Sequence, residues 1–376
     1  MNDDAVIIAI DGGGSKTDVL LVDASGAVLG QARGPGASPQ VVGMKPGLDV
    51  FESLVTEASV QAGLPATPPF ATHTSAYLAG ADLPVEEEGL LRAITERGWS
   101  ESVVVGNDTF ALLRAGTADG VGVAVVCGAG INCVGVAADG RVHRFPALGR
   151  ISGDWGGGFQ MGSEALWWAV RAADGRGPRT ALLPAVVDHF GAKDIFEVVE
   201  RLHFESLPRP RIHELSPVLF RVAATGDEVA TRVVGQLVDE VVTLAAVTMR
   251  QLDMTTEAPV VVLGGGVLTG MDSSVVAEIE QRCVEVAPRA ELRVIDIAPV
   301  VGAALLGLDT IGAPAAAKTR LRSSAGVLNF VLPDPVLAAG SVPAGVIGQD
   351  TDSLVNGSAP GEPDGVGERA ESFGAS

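Results

Sequence analysis

The sequence predicts an α/β protein of two domains, because two stretches of the chain open with the same order of elements. Residues 5–34 and 121–145 both contain a strand, a glycine-rich loop, a second strand, a turn and a third strand. In both stretches an apolar run of strand length ends at clustered glycines, and another apolar run follows. Predicted helices come after each stretch. The repeat therefore indicates two α/β domains whose glycine loops face a common cleft.

The first domain is predicted to cover residues 1–118. Apolar residues at helical spacing predict its longest helix, over 46–63, which ends on a glycine. A second helix, over 85–97, has an acidic first turn that suits the helix dipole. The predicted elements are, in order, strands at 5–11, 18–23 and 27–34, a loop at 34–43, the helix at 46–63, a strand at 72–78, the helix at 85–97, a strand at 102–105 and a helix at 109–115.

The second domain is predicted to cover residues 119–298. A long helical region follows its three opening strands, and residues 227–252 place apolar side chains on one helical face. The predicted elements are strands at 121–126, 131–136 and 141–145, helices at 163–173, 182–190, 195–201 and 227–252, a strand at 259–263, a helix at 273–286 and a strand at 291–295. An almost wholly apolar helix at about 299–312 is expected to pack back on the first domain.

Residues 313–376 are expected to form a flexible tail outside the fold. The stretch 334–376 is rich in Gly, Pro, Ser, Asp and Ala and shows no periodicity. The uncharged stretch 120–138 satisfies a crude length criterion for a membrane span. It contains five glycines and Asn132, however, so strand, loop and strand is the better interpretation.

Composition limits the function. The chain has 376 residues, 47% hydrophobic and 19% charged, which is typical of a globular protein. A net charge of −20 argues against nucleic acid and anionic membranes as partners, so a phosphate ligand needs local N–H groups and a metal. Cysteines 127, 133 and 283 form no CxxC pair, and the N-terminus lacks the features of a signal peptide. We therefore expect a cytoplasmic protein.

The first glycine loop suggests phosphate binding. Glycines 12–14 leave backbone N–H groups uncovered, and Asp11 lies where the strand ends, a suitable place to hold a hydrated Mg²⁺. A Walker-type loop is excluded, because Ser15 and Ile10 occupy the positions where that motif needs glycine. A hairpin with a glycine turn and no ligand remains the alternative.

Five motifs in order resemble the actin-like ATPase superfamily, which includes hexokinases and Hsp70. They are DGGGSKTD (11–18), GND (106–108), CGAGINCVG (127–135), SGDWGGGFQMGSEAL (152–166) and VVLGGGV (261–267). Within it the chain looks like the N-acetylglucosamine kinase branch, which also contains the activator ATPases of benzoyl-CoA reductase, over residues 5–312. The resemblance implies two actin-like (ribonuclease H-like) domains with a cleft between them, ATP and Mg²⁺ as cofactors, a small-molecule sugar as substrate and a homodimer.

The resemblance also implies roles for individual residues. Asp108 would be the catalytic base for the acceptor hydroxyl, and the helix dipole would keep it ionised at pH 7. Asp11 would hold Mg²⁺ through water. The residues implied to bind the sugar are Ser38, Gln40, Asp108, Asp154 and Trp155. Those implied to bind ATP are Gly13, Gly14, Ser15, Lys16, Thr17, Gly128, Ala129, Gly130, Gly264, Gly265 and Gly266. Asp108 could instead be a helix N-cap, and Asp154 a carboxylate in a glycine-rich turn.

Departures from the family pattern concern the sugar. Residues 148–150, Leu-Gly-Arg, stand where a Gly-Trp-Gly that forms the acetyl pocket is usual, and Ser38 stands where asparagine is usual. The second phosphate loop, residues 128–131, lacks the usual threonine, and Trp155 replaces a glutamate. The missing tryptophan suggests a sugar whose amino group carries no acetyl group. Such a group is an ammonium ion near neutral pH, and a carboxylate such as Asp154 could bind it.

We therefore expect a glucosamine kinase that forms glucosamine 6-phosphate. N-acetylglucosamine stays open if Trp155 restores the aromatic contact, and glucose is a third acceptor. A reductase activator would need paired cysteines for an iron–sulfur cluster, whereas these cysteines fit small buried hydrophobic residues better. A sugar-sensing repressor is disfavoured, because the first strand begins at Ala5 without a preceding helix-turn-helix and the charge is acidic.

Overall fold

Two five-stranded sheets form the framework of the protein. The structure is a computed structural model that describes residues 5–295 and 297–327. The strands are β1 (Val6–Gly12), β2 (Lys16–Asp23), β3 (Val28–Pro35), β4 (Ala71–Leu78), β5 (Ser100–Asn107), β6 (Gly122–Cys127), β7 (Ile131–Val136), β8 (Val142–Arg144), β9 (Val260–Gly264) and β10 (Glu291–Val294). The helices are α1 (Pro39–Val42), α2 (Met44–Gln61), α3 (Pro84–Thr95), α4 (Asp108–Gly116), α5 (Gly158–Asp174), α6 (Leu182–His189), α7 (Ile195–His203), α8 (Leu215–Ala223), α9 (Glu228–Gln251), α10 (Gly266–Thr269), α11 (Ser273–Val286), α12 (Pro299–Thr310) and α13 (Ala315–Ser324).

The two sheets have the same topology. The first has the order β3-β2-β1-β4-β5 and the second the order β10-β9-β6-β7-β8. In each, the opening strand pairs antiparallel with the strand that follows it and parallel with the next strand along the sheet, β4 or β9. The repeat seen in the sequence is therefore a repeat of fold, and the prediction of an α/β protein is confirmed. The domain bounds 1–118 and 119–298 stay a prediction.

The first sheet is buried on both faces. Ile8 and Ile10 of β1 belong to an apolar cluster that includes Phe51 of α2. Ile7 and Ala9 of the same strand face the opposite cluster, built largely on α12. Because side chains alternate along a strand, an uninterrupted apolar run fits a strand with helices on both sides.

The second sheet packs on a helical layer whose centre is α9. Asp227 caps this helix by accepting hydrogen bonds from the N–H groups of Val229 and Ala230. Its buried residues Val233, Leu237 and others recur every three or four positions, as the sequence predicted. The stretch 120–138 forms the β6–β7 hairpin. In the part of the chain that the structure describes, no helix is long and apolar enough to cross a membrane.

Helix α4 connects the two halves. One side packs against α12, where a Cβ on Gly302 would lie 1.8 Å from the carbonyl oxygen of Ala111. On another side, Leu112 and Leu113 form an apolar cluster with Ala124 and neighbouring residues of the second sheet. The first residue of α4 therefore lies where the two sheets approach each other.

The structure differs from the sequence-based expectation at several places. Helices α8 (Leu215–Ala223) and α10 (Gly266–Thr269) were not predicted. The loop predicted at 34–43 contains the short helix α1. Residues 315–324, expected to begin a flexible tail, form α13, because Ala317 and Leu321 lie one turn apart and pack in the cluster around α12. The guanidinium of Arg322 also donates to the carbonyls of Arg114 and Ala115 at the end of α4. The remainder of the expected tail, 328–376, lies outside the described residues.

The contact between α4 and α12 generates a stability prediction. We expect Gly302→Ala to lower the free energy of unfolding by about 1–3 kcal/mol or more, because the added methyl group overlaps backbone atoms. The control is Gly235→Ala inside α9, where the new Cβ meets nothing within 4 Å. This control should raise stability by about 0.5–1 kcal/mol, the usual gain of alanine over glycine in a helix. Chemical denaturation measures both, and equal effects would contradict the close contact.

Candidate active site

A cavity of about 350 Å³ lies where the glycine loops of the two sheets meet. Its lining comes from both halves of the chain and includes most of the residues predicted as site residues. Those that line it are Asp11, Gly13, Gly14, Ser15, Lys16, Ser38, Gln40, Asp108, Gly128, Ala129, Gly130, Gly265 and Gly266. Residues that the sequence analysis did not select also line it, among them Gly80, Asp82, Asn132, Ala147 and Pro299.

The first glycine loop joins β1 to β2 in a tight turn. The N–H of Gly13 donates to the carbonyl of Lys16 at 2.9 Å. Gly12 is required by packing, since a Cβ there would lie 2.7 Å from Leu78, whereas a Cβ on Gly14 would meet only Ala129, at 4.0 Å. Thr17, predicted to bind ATP, is fully buried in β2 and does not line the cavity.

The second and third glycine loops lie on the second sheet. A Cβ on Gly128, Gly130 or Gly266 would meet no protein atom within 4 Å. Gly264, also predicted to bind ATP, packs against Leu112 instead of lining the cavity. Gly265 has φ +85° and lies against the backbone of Cys127, where any side chain would clash. These loops therefore present bare backbone to the cavity, which suits an anionic ligand.

Three aspartates lie at or just after the carboxyl ends of the parallel strands β1, β4 and β5 of the first sheet. Asp11 lies in β1, Asp82 four residues after β4, and Asp108 directly after β5. Asp82 was missed, although its place after a buried strand and a turn glycine was visible in the sequence. The carboxyl ends of parallel strands meet at one edge of a sheet, which brings the three side chains to the same cavity.

Burial raises the pKa of all three carboxyl groups. Burial, with the charges of Asp108 and Asp18, raises the pKa of Asp11 to about 8. Burial and Asp108 raise the pKa of Asp82 to about 7. Asp108 is therefore the charged neighbour of both. A cation bound in the cavity would favour the ionised form of these carboxyl groups and lower their pKa values.

Asp108 is the first residue of α4 and not its N-cap. The cap is Asn107, whose side-chain oxygen accepts from the N–H of Thr109 at 3.0 Å. Burial raises the pKa of Asp108 to about 6, although hydrogen bonds from Thr109 oppose the shift. Desolvation thus outweighs the stabilisation expected from the helix N-terminus, yet the anion is still the main form at pH 7.

The structure does not bring Asp154 and Trp155 to the cavity lining. The carboxylate of Asp154 accepts from Ser152 Oγ at 2.5 Å and from the N–H of Gly149 at 3.1 Å. It closes its own glycine-rich turn. The backbone N–H of Trp155 donates to the carboxylate of Glu240. The indole ring of Trp155 packs on the core around the second sheet.

Asp11 is the candidate ligand for a metal ion in this cavity. Among residues 5–295 and 297–327, no group of three or more His, Cys, Asp and Glu side chains could hold a metal ion. Asp11 lines the cavity and could hold a hydrated Mg²⁺, with water and phosphate oxygens completing a shell that suits this ion. Cys127, Cys133 and Cys283 are buried, and burial raises the pKa of the first two thiols to about 12.

Comparison with known proteins identifies relatives over most of the chain. The model of the BadF/BadG/BcrA/BcrD ATPase family matches residues 8–307. The chain is 26% identical over 316 residues to an N-acetyl-D-glucosamine kinase of Dictyostelium discoideum, covering 81% of this chain and 98% of the relative. It is also 26% identical over 270 residues to an N-acetylmuramic acid/N-acetylglucosamine kinase of Clostridium acetobutylicum, covering 71% and 86%.

Solved structures share the fold. A Chromobacterium violaceum protein proposed to be an N-acetylglucosamine kinase superposes with a TM-score of 0.64 at 23% identity, covering 81% of this chain and 99% of that one. The ROK hexokinase from Thermus thermophilus superposes with a TM-score of 0.52 at 19% identity, covering 82% and 99%. These likenesses confirm the actin-like architecture.

The open space at the glycine loops generates a binding prediction. We expect Gly130→Ala to keep the thermal stability of the wild type, because its Cβ meets no protein atom within 4 Å. The methyl group would nevertheless occupy the space of a nucleotide phosphate and raise the Kd for ATP about tenfold or more. Calorimetric titration with ATP measures this, and Gly235→Ala in α9 is the control. Unchanged ATP affinity in Gly130→Ala would show that this loop does not contact the nucleotide.

Proposed function

Since the chain belongs to the BadF/BadG/BcrA/BcrD ATPase family, we propose that it is an ATP-dependent sugar kinase that phosphorylates an aminosugar, glucosamine. The observation that carries the proposal is the position of Asp108, at the start of α4 in a cavity lined by three glycine loops. Such a cavity offers N–H groups for phosphates on two sides and one carboxylate for an acceptor hydroxyl. The curated relatives, whose names describe kinases of N-acetylated aminosugars, support the same class.

Phosphoryl transfer mainly requires positioning and charge stabilisation, and the chain supplies both. The backbone of residues 13–16 and 128–130 would hold the phosphates of ATP. Asp11 would orient a hydrated Mg²⁺, which would neutralise charge on the transferred phosphoryl group. Asp108 would accept the proton of the sugar hydroxyl as it attacks. Closure of the cleft would exclude water that could otherwise hydrolyse ATP.

Glucosamine is proposed as the acceptor sugar because of the residues in and near the segment 147–152. Residues 147–152 contain no aromatic side chain to cover an acetyl group, and Ile151 in this segment is 88% exposed. Trp155 packs on the core of the second domain, which weakens the idea that it restores the aromatic contact. N-acetylglucosamine is the alternative acceptor, and the relatives' names favour it.

A reductase activator is less well supported. The relative exposures of Cys127 and Cys133 are both 0%, and Cys283 is 1% exposed. None could reach a cluster shared between subunits without unpacking the core of the second domain. The homodimer and the cytoplasmic location inferred from the sequence stay predictions.

The test of the function is ATP-dependent phosphorylation of glucosamine, N-acetylglucosamine and glucose in parallel, with Mg²⁺, comparing kcat/KM. We expect glucosamine to have the highest value. A preference for N-acetylglucosamine would keep the aminosugar kinase and reject the free-amine assignment. Absence of turnover on all three sugars would reject the sugar kinase.

Removing the proposed base should greatly lower turnover without unfolding the protein. We expect Asp108→Asn to lower kcat by about 10²–10⁴-fold, the usual contribution of a general base. Its melting temperature should not fall, because the substitution removes a buried charge and keeps the shape of the side chain. The control is Asp188→Asn on the exposed face of α6. A kcat within a few-fold of the wild type would remove Asp108 from the base role.

A further inference from the structure

The wall of the cavity carries a second carboxylate, Asp82, that the proposed transfer does not use. Asp82 is only 9% exposed, and it lines the same cavity as Asp108. It follows β4 by four residues, in the turn that leads to α3. A buried carboxylate at a cavity wall is costly for the fold unless it has donors or a ligand.

Amide donors hold the Asp82 carboxylate in one orientation. Asn107 Oδ1 accepts from the N–H of Thr109 at 3.0 Å and from Asn132 Nδ2 at 3.1 Å. Because the backbone N–H can only donate, the Asn107 oxygen must face it, and Asn107 Nδ2 therefore donates to Asp82 Oδ1 at 2.8 Å. The other carboxylate oxygen accepts from Gln40 Nε2 at 3.1 Å.

The main chain of Asp82 is also held from both sides. The guanidinium of Arg144, in β8 of the second sheet, donates to the carbonyls of Ala81 and Asp82, at 2.8 Å each. Glu86 Oε2 accepts from the N–H of Asp82 at 3.1 Å. The loop is therefore fixed by contacts to α3 and to the second sheet, and the carboxylate is preorganised.

The preorganised carboxylate has capacity left for a ligand. Each oxygen of a carboxylate can accept about two hydrogen bonds, and each Asp82 oxygen takes one from the amides named above. Asp108 and Glu86 add negative charge near it, while the cation that favours its ionised form, Arg144, also pairs with Glu87 at 2.6 Å. A donor with a positive charge gains more at such a position than a neutral hydroxyl does.

We propose that Asp82 is the specificity-determining residue of the cavity, binding the ammonium group of an aminosugar while Asp108 faces its reacting hydroxyl. The proposal rests on the sugar kinase function proposed above. Asp11, Asp82 and Asp108 line one cavity, so a sugar whose hydroxyl faces Asp108 would have the phosphate side at Asp11 and the ammonium side at Asp82. The carboxylate of Asp154, in contrast, accepts hydrogen bonds from Gly149 and Ser152 within its own turn.

The test compares wild type, Asp82→Asn and Asp82→Ala with glucosamine and glucose as acceptors. Asparagine can keep the acceptor for Asn107 Nδ2, and Gln40 retains its second bond, to Glu86 Oε1 at 2.9 Å. We expect the ratio of kcat/KM for glucosamine to that for glucose to fall about tenfold or more in both variants, through KM for glucosamine. The control Glu88→Gln, an equal charge change on the exposed side of α3, should keep the wild-type ratio.

An unchanged ratio of the two kcat/KM values would overturn the proposal. If both values fall equally, Asp82 supports Asn107 and Asp108 instead of binding the sugar. Calorimetric titration with glucosamine or with glucose, in the absence of ATP, separates this proposal from the kinase function, because it needs no turnover. Glucosamine binding that weakens in Asp82→Asn supports the proposal even if no sugar is phosphorylated. Wild type that binds glucose as tightly as glucosamine would reject it while leaving the kinase intact.

Discussion

Close contact between backbone segments at glycine residues determines where the glycine loops around the cavity lie. A Cβ on Gly36 would lie 2.2 Å from the carbonyl oxygen of Gly14, and a Cβ on Gly157 would lie 2.4 Å from that of Ala129. Gly302 brings α12 closer still to α4, where a Cβ would lie 1.8 Å from the carbonyl oxygen of Ala111. Such approaches are open only to residues without a side chain. They bring the glycine loops of both sheets to one cavity and leave several glycines in its lining.

The second constraint is electrostatic. Asp11, Asp82 and Asp108 are gathered at one edge of the first sheet, and burial raises the pKa of each. In a chain with a net charge of −20, such a group is stable only because amides, hydroxyls and distant cations offset part of the repulsion. A hydrated metal ion and a cationic substrate would complete that compensation. The cavity is thus preorganised for positive charge at its carboxylates and for negative charge at its glycine loops.

Helix α4 links these two features. Its N-terminal residue is Asp108, while Leu112 and Leu113 pack against the second sheet and Ala111 against α12. The contacts near the acceptor side are polar instead, as between Asn132 and Asn107. Polar contacts can be exchanged with water at small net cost, so the cleft opening that the proposed kinase needs would leave the apolar packing of α4 intact. This division suits an enzyme that must admit a sugar and then exclude water.

Much of the fold followed from local patterns. The repeat of strand, glycine loop and strand, the uninterrupted apolar run of β1 and the periodicity of α9 indicated a two-sheet α/β protein, because burial imposes such patterns on any sequence. Boundaries were less accurate, and α13 was missed, because its two buried apolar residues acquire meaning only from the cluster on α12 that receives them.

The sequence by itself determined which residue types stand at the strand ends, namely the glycines and carboxylates that phosphate and metal chemistry require. Only the tertiary structure decided which of them face the cavity. Thr17 and Gly264 are packed into the protein, Asp154 bonds within its own turn, and Asp82 enters the cavity beside Asp108. The physical reason is that side-chain direction depends on strand register and on the partners that neighbouring elements supply, and residues far apart in the chain provide both.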